Sequence, residues 1–169
     1  METLTPLARR SATARRRCTS TCRHARIHVT TRQQTEFIDL TDGLESLVVD
    51  AGLRFGILNV QTLHTTTAVI VNEHEPLLLT DFQRILEAVA PGDGRYRHDD
   101  TFARTVNMTG AERPNGHAHC RALLLPTSAC LNVTGGRLLL GEWQRVFLVE
   151  LDGPRERDLS VLLFGEAGQ

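Results

Sequence analysis

The chain has 169 residues, of which 41% are hydrophobic and 23% charged, with a formal net charge of -1. That length suits one domain with its own core, because a domain of roughly 150 residues buries about two thirds of the surface its unfolded chain exposes. No apolar run approaches the roughly 20 residues of a bilayer span, so no membrane partner is expected, and the absence of lysine removes Schiff-base chemistry and the lysine phosphate loop.

The charge is unevenly spread. Residues 1–32 hold eight arginines against the single acid Glu2, and the remainder holds eleven arginines against nineteen acids. Residues 1–26 therefore read as a basic, disordered N-terminal extension, with one domain over 27–166. The acidic balance of that domain argues against a nucleic-acid partner. Cys18 and Cys22 are spaced C-x3-C and Cys120 and Cys130 stand in apolar surroundings, so the cysteines read as free thiols of a cytoplasmic protein.

In chain order, Ile27–Thr31 and Thr35–Leu40 flank a polar Arg32-Gln33-Gln34 link and predict a hairpin. Asp42 and Glu45 resemble a capping box ahead of the helical spacing of Leu44, Leu47, Val48 and Ala51, which Gly52 ends. Gly56–Thr62 alternates at period 2 and Thr66–Val71 follows as a β-rich run, with His64 at their junction. Pro76 opens a second helix whose stripe Leu78, Phe82, Ile85 and Val89 is expected in the core. Pro91–Asn115 reads as a long loop with at most one short strand, near Arg104–Met108. Strands are expected at Cys120–Leu125, Ala129–Thr134, Arg137–Leu140, Gln144–Leu151 and Leu159–Phe164, with Gly135-Gly136 as a two-residue hairpin turn. Many strands without regular βαβ alternation define an α+β class, with antiparallel β-sheets and two short helices.

Five of the seven histidines fall between His64 and His119, each in a polar or turn-rich phrase. On an extended segment His117 and His119 project to one side and can share a metal ion, with His98 as third ligand. The same pair also reads as hydrogen-bonded histidines at a solvated strand edge. His64 heads Thr65-Thr66-Thr67, whose hydroxyls can grip an anion or simply favour a strand. Asn72-Glu73 places a carboxylate beside the Pro76 helix as general base, ligand or plain N-terminal acid. Trp143 is a packing anchor or a substrate contact. Arg155, in the turn Asp152-Gly153-Pro154-Arg155, can bind phosphate in a bidentate way or stay on the surface. Cys120 reads as facing away from His119, which disfavours a Cys–His nucleophile.

Six phrases in order resemble the YjbQ (UPF0047) family: His64-Thr65-Thr66-Thr67-Ala68, Asn72-Glu73, Tyr96-Arg97-His98, Asn115-Gly116-His117-Ala118-His119, Gly141-Glu142-Trp143-Gln144-Arg145 and Asp152-Gly153-Pro154-Arg155. The resemblance runs from about residue 27 to 165. It implies a YjbQ-like α+β fold assembled as a homotrimer, with motif residues in clefts near subunit contacts, and a secondary thiamine-phosphate synthase activity. Carried over, His64, Asn72, Glu73, His98, His119 and Arg155 are cleft residues, with His117 their neighbour. The chain departs from the commoner pattern at His74-Glu75-Pro76 and at Glu142, which bears on the substrate more than on the fold.

These readings combine into one expectation. His64, Asn72 and Glu73 are catalytic; Thr65, Thr66, Trp143 and Arg155 bind substrate; and His98, His117 and His119 hold a divalent metal, zinc or magnesium. The partner is a small phosphorylated metabolite. The synthase joins a pyrimidine diphosphate to a thiazole phosphate and expels pyrophosphate, which asks for cationic groups. Two other classes remain open: a metal-dependent hydrolase or lyase, with Glu73 as base to a metal-bound water, and a non-catalytic trimer that binds metal or metabolite.

Overall fold

Val146-Phe147-Leu148-Val149 is an unbroken apolar run, and all four side chains are fully buried. An extended chain sends alternate side chains to opposite faces, so such a run requires cover on both sides. The computed structural model, which describes residues 19–110 and 113–167, shows that arrangement. This run belongs to strand β7 (Gln144–Glu150), the middle strand of a three-stranded sheet between β2 (Glu36–Asp39) and β4 (Thr67–Glu73). Val146 and Leu148 pack in the larger core beneath a five-stranded sheet, while Phe147 and Val149 pack with Leu86 and Ala118 of the helices. The result is three layers: sheet, sheet and helices.

The five-stranded sheet has the order β1 (Thr19–Thr30), β8 (Glu156–Ala167), β3 (Leu53–Thr62), β5 (Ser128–Thr134) and β6 (Arg137–Leu138). Every strand pair in both sheets is antiparallel. β3 and β8 pair with Gly56 opposite Gly165, where a Cβ on Gly56 would lie 2.2 Å from the Phe164 carbonyl oxygen. The backbones approach too closely there for any side chain. Gly135 and Gly136 both have positive φ and turn β5 into β6, as the two-residue hairpin requires.

The α+β expectation holds, with three helices in place of two: α1 (Thr41–Asp50), α2 (Pro76–Val89) and α3 (Gly116–Ala122). Several local expectations are corrected. Ile27–Thr31 and Thr35–Leu40 do not form a hairpin, because β1 pairs with β8 and β2 with β7, in different sheets. Residues 19–26, expected in the disordered extension, are the first part of β1, with Thr19 opposite Ala167. Ala25, Ile27 and Val29 of β1 pack against the core between exposed residues. Residues 1–18 lie outside the described residues. Asp42 and Glu45 form no capping box: Asp39 Oδ1 accepts the Thr41 N–H at 2.9 Å, and Glu45 accepts from Leu138 N.

Glu75 caps α2 by accepting from Leu77 and Leu78 N–H groups, and Pro76 occupies the first turn. The helix is rotated from the expected stripe, burying Leu86 and leaving Ile85 and Val89 exposed. In keeping with the loop expectation, Arg104–Met108 forms no strand, and among the described residues of that loop the regular element is a 3₁₀ turn at Arg97–Asp99. Cys120–Leu125 is not a strand, since its first residues belong to α3. Asp99 Oδ1 accepts the N–H groups of both Asn115 and Gly116 at 2.9 Å, so α3 begins on a carboxylate far back in the chain. A Cβ on Gly116 would meet Tyr96 Cβ at 2.3 Å, which keeps that start tight against the 3₁₀ turn.

One buried ion pair ties the sheets to the turns between them. Glu150 is fully buried at the end of β7, and Arg157 of β8 reaches it through Nε at 2.6 Å and Nη2 at 2.5 Å. Glu150 also accepts from Asp152 N, Gly153 N and the Thr31 hydroxyl, at 2.8, 2.8 and 3.0 Å. Arg157 Nη2 donates onward to Thr66 Oγ1 at 3.1 Å. Burial opposes ionisation of Glu150, but the Arg157 and backbone donors outweigh it and hold the carboxyl below its ordinary value.

Replacing Arg157 with Leu strands a buried carboxylate and is expected to cost about 3–5 kcal/mol in urea denaturation at neutral pH. Because the folded value lies below the ordinary one, the pair stabilises above about pH 4.5 and loses its contribution as pH falls through the folded value. The deficit of R157L should therefore shrink in acid; a deficit constant from pH 7 to pH 3 would contradict this account.

Candidate functional site

A cavity of about 910 Å³ opens where β3 leaves for β4 and where β7 turns back into β8. Its walls come from the His64-Thr65-Thr66 turn, the loop around Arg97 and His98, His119 of α3, and the Asp152–Arg157 turn. Arginines 97, 104, 155 and 157 all border it, with Asp152 as the acid among them. Such a lining favours an anion.

His64 has its chemistry set by the backbone. Its Nε2 lies 2.8 Å from Asp158 N, and an amide N–H can only donate, so Nε2 is the acceptor and the ring proton of the neutral form sits on Nδ1. Burial first, and then the nearby Arg157 guanidinium, push its pKa below the ordinary 6.5. His64 is thus a neutral hydrogen-bond donor, with its basic nitrogen already engaged. The rings of His98 and His119 lie edge to face, with centroids 4.5 Å apart, on another wall of the same cavity.

Arg155 Nη2 meets Asp152 Oδ2 at 2.8 Å, and the same oxygen receives Asn115 Nδ2 at 3.2 Å. Thr65 is exposed at the rim, while Thr66 is buried and held by Arg157. Three buried side-chain atoms among the described residues have no hydrogen-bond partner: His98 Nε2, Asn115 Oδ1 and Arg155 Nε. All three belong to residues that border this cavity.

His64, Thr65, Thr66, His98, His119 and Arg155 are therefore brought together, and four expected residues are not. α3 is a helix, so His117 and His119 point apart, each residue adding about 100°. His117 is buried, with Nε2 2.9 Å from the Gln34 amide nitrogen and its ring beside Tyr96. Burial, with Arg121 second, lowers its pKa. The expected metal set His98, His117 and His119 does not assemble. Among the described residues no group of three His, Cys, Asp or Glu is placed to hold a metal ion.

Asn72 and Glu73 stand at the far end of β4, opposite Arg145 and Gln144, about 20 Å along the strand from the threonines. Asn72 Oδ1 accepts the Glu73 N–H, and its neighbours are the apolar Phe37, Ile70 and Phe82. Trp143 is exposed in the turn before β7. Arg145 is committed to Asp39 and Asp42; against the cost of burial, hydrogen bonds from Arg145, Thr41 and His74 bring the Asp39 pKa down to about 2. Sequence reasoning passed over Asn115, Asp152 and Arg157 as site residues. Asn115 and Asp152 stood in phrases already singled out, whereas nothing local marked Arg157.

Fold and cavity together define a class: a two-sheet α+β domain with an arginine- and histidine-lined pocket between its strand turns. Residues 25–166 match the family model described as UPF0047 protein YjbQ-like, and the chain belongs to that family. A UPF0047 protein of Methanothermobacter thermautotrophicus is 38% identical over 136 residues, covering 80% of this chain and 87% of its own. One from Archaeoglobus fulgidus is 38% identical over 131 residues, covering 78% and 93%. The crystal structure of a YbjQ-like protein of unknown function from Sulfolobus solfataricus superposes with a TM-score of 0.77 at 33% identity, covering 88% of this chain and all of that one.

At pH 6.5, ¹⁵N NMR of the histidine rings should show His64 uncharged, with its proton on Nδ1. Its folded pKa lies below the unfolded value, so the neutral ring stabilises above about pH 6.5 and that contribution is lost as pH falls through the folded value. His117 acts in the same direction, and the variant H64Q should flatten part of the slope. A charged His64 at pH 6.5 would refute the assignment.

Proposed function

We propose that this cavity binds a small phosphorylated metabolite and sustains a weak, secondary thiamine-phosphate synthase activity, at a site completed by a neighbouring copy in a homotrimer. The observation that carries the reading is the convergence of three partnerless buried polar atoms on one arginine-lined cavity. A buried donor or acceptor left unpaired costs roughly 1–3 kcal/mol, and a bound polar ligand removes that cost.

In the synthase reaction, the bond to the thiazole nitrogen forms as the carbon–oxygen bond to diphosphate breaks, and negative charge grows on the departing oxygen. Arg97 and Arg155 stabilise that charge, and His64 donates from Nδ1. His98 and His119 are the groups left to move a proton. A divalent metal, expected with this chemistry, finds no three-residue ligand set within one chain among the described residues, and no step is assigned to it. The trimer reading is supported by the separation of two motif groups along β4, which leaves Asn72, Glu73 and Trp143 outside the cavity of their own chain. Cys22, Cys120 and Cys130 are free, in keeping with a reducing, cytoplasmic compartment.

Pyrophosphate release from the two substrates tests this reading. Wild type should turn over slowly, and R155M and H119A should each lose at least about tenfold. Mixing the variants H119A and E73Q under exchange conditions should restore activity, because one trimer interface then carries both native groups. Substrate-dependent binding without any turnover in wild type would leave a binding protein and sink the synthase assignment. Failure of the mixture to recover would sink the shared site.

A further inference from the structure

The partnerless atoms also say what the ligand must carry, an inference that rests on the pocket being an anion site. The Asp152 carboxylate can only accept, so the atom of Asn115 facing it at 3.2 Å must be the amide nitrogen. That fixes the orientation of the amide, and its carbonyl oxygen Oδ1 is left buried without a partner, on a residue that is only 6% exposed. A carbonyl oxygen can only accept. Whatever satisfies it must therefore donate.

Arg155 makes the opposite demand. Its Nη2 is held by the same Asp152 oxygen, while its buried Nε–H lacks an acceptor. The two residues share one anchoring carboxylate oxygen, so the group that accepts from Arg155 and the group that donates to Asn115 are near neighbours on the ligand. His98 Nε2 can serve as donor or acceptor and decides nothing.

We infer that the natural ligand carries a hydrogen-bond donor, a hydroxyl or amino group, close to its anionic group, and that Asn115 is the residue that selects for it. An alkyl phosphate dianion offers acceptors only and leaves Asn115 Oδ1 unpaired. A site built to bond a donor discriminates against the analogue lacking it, because the buried partner is then stranded.

Isothermal titration of the full-length chain at pH 8 with glycerol 1-phosphate, 2-aminoethyl phosphate and n-propyl phosphate tests this. At that pH each phosphate group is doubly ionised, and the aminoethyl ester also carries an ammonium, so glycerol 1-phosphate is the charge-matched comparison with n-propyl phosphate. Glycerol 1-phosphate or 2-aminoethyl phosphate should bind about tenfold tighter than n-propyl phosphate, and the variant N115L should bring the affinities together. Equal binding of all three by wild type would overturn the donor inference while leaving the anion site standing. Binding of none would overturn the anion site itself. The decisive comparison uses wild type, so it does not depend on the variant folding.

Discussion

The Glu150–Arg157 pair is the constraint around which this fold closes. Two buried charges without partners would cost several kcal/mol each, so each fixes the segments that satisfy the other. Glu150 draws in the end of β1 through Thr31 and the 152–153 backbone. Arg157 reaches across to Thr66 at the entrance to β4. Three stretches distant in sequence, around residues 31, 66 and 150–157, are thereby set against one another, and the candidate cavity opens between their turns. The carboxylate that orders the 152–155 turn thus also orders Asp152, which in turn orients Asn115 and Arg155.

Much of the sheet was legible because strands announce themselves locally. The alternation in β3, the Gly135-Gly136 turn and the apolar run of β7 need no distant partner to be read. α3 was misread for the complementary reason. Asn115 stands at its N-cap position but makes no side-chain cap bond, and the first N–H groups are instead satisfied by Asp99, sixteen residues before it, which no local reading of the segment reveals. Reading that segment as extended put His117 and His119 on one side and produced a metal site the helix takes apart. The outward turn of Ile85 and Val89 has a similar origin, since the buried face of α2 is set by where Phe147 and Val149 stand in the sheet beneath.

For the candidate site, the histidine clustering pointed to one region of the chain, and His64, His98 and His119 do share a cavity. Their division of labour was not readable, because it is imposed by backbone: the Asp158 N–H occupies the basic nitrogen of His64 from ninety-four residues away. Arginine 157 gave no local signal either, being one charged residue among several after Pro154. Asn72, Glu73 and Trp143 stood out in the sequence yet lie at the other end of the domain. A motif read along a chain has no measure of how far a strand carries it.

The pairing of β1 with β8 along twelve positions has a consequence for how the chain can be shortened. β1 is the outermost strand of its sheet. A truncation at residue 27, where the domain would be drawn by composition alone, strips eight partners from β8 and leaves its backbone donors and acceptors facing water. An open edge of that length, beside the exposed Leu162 and Phe164, is a template for another chain's strand. Residues 19–26 are thus part of what covers that stretch of β8.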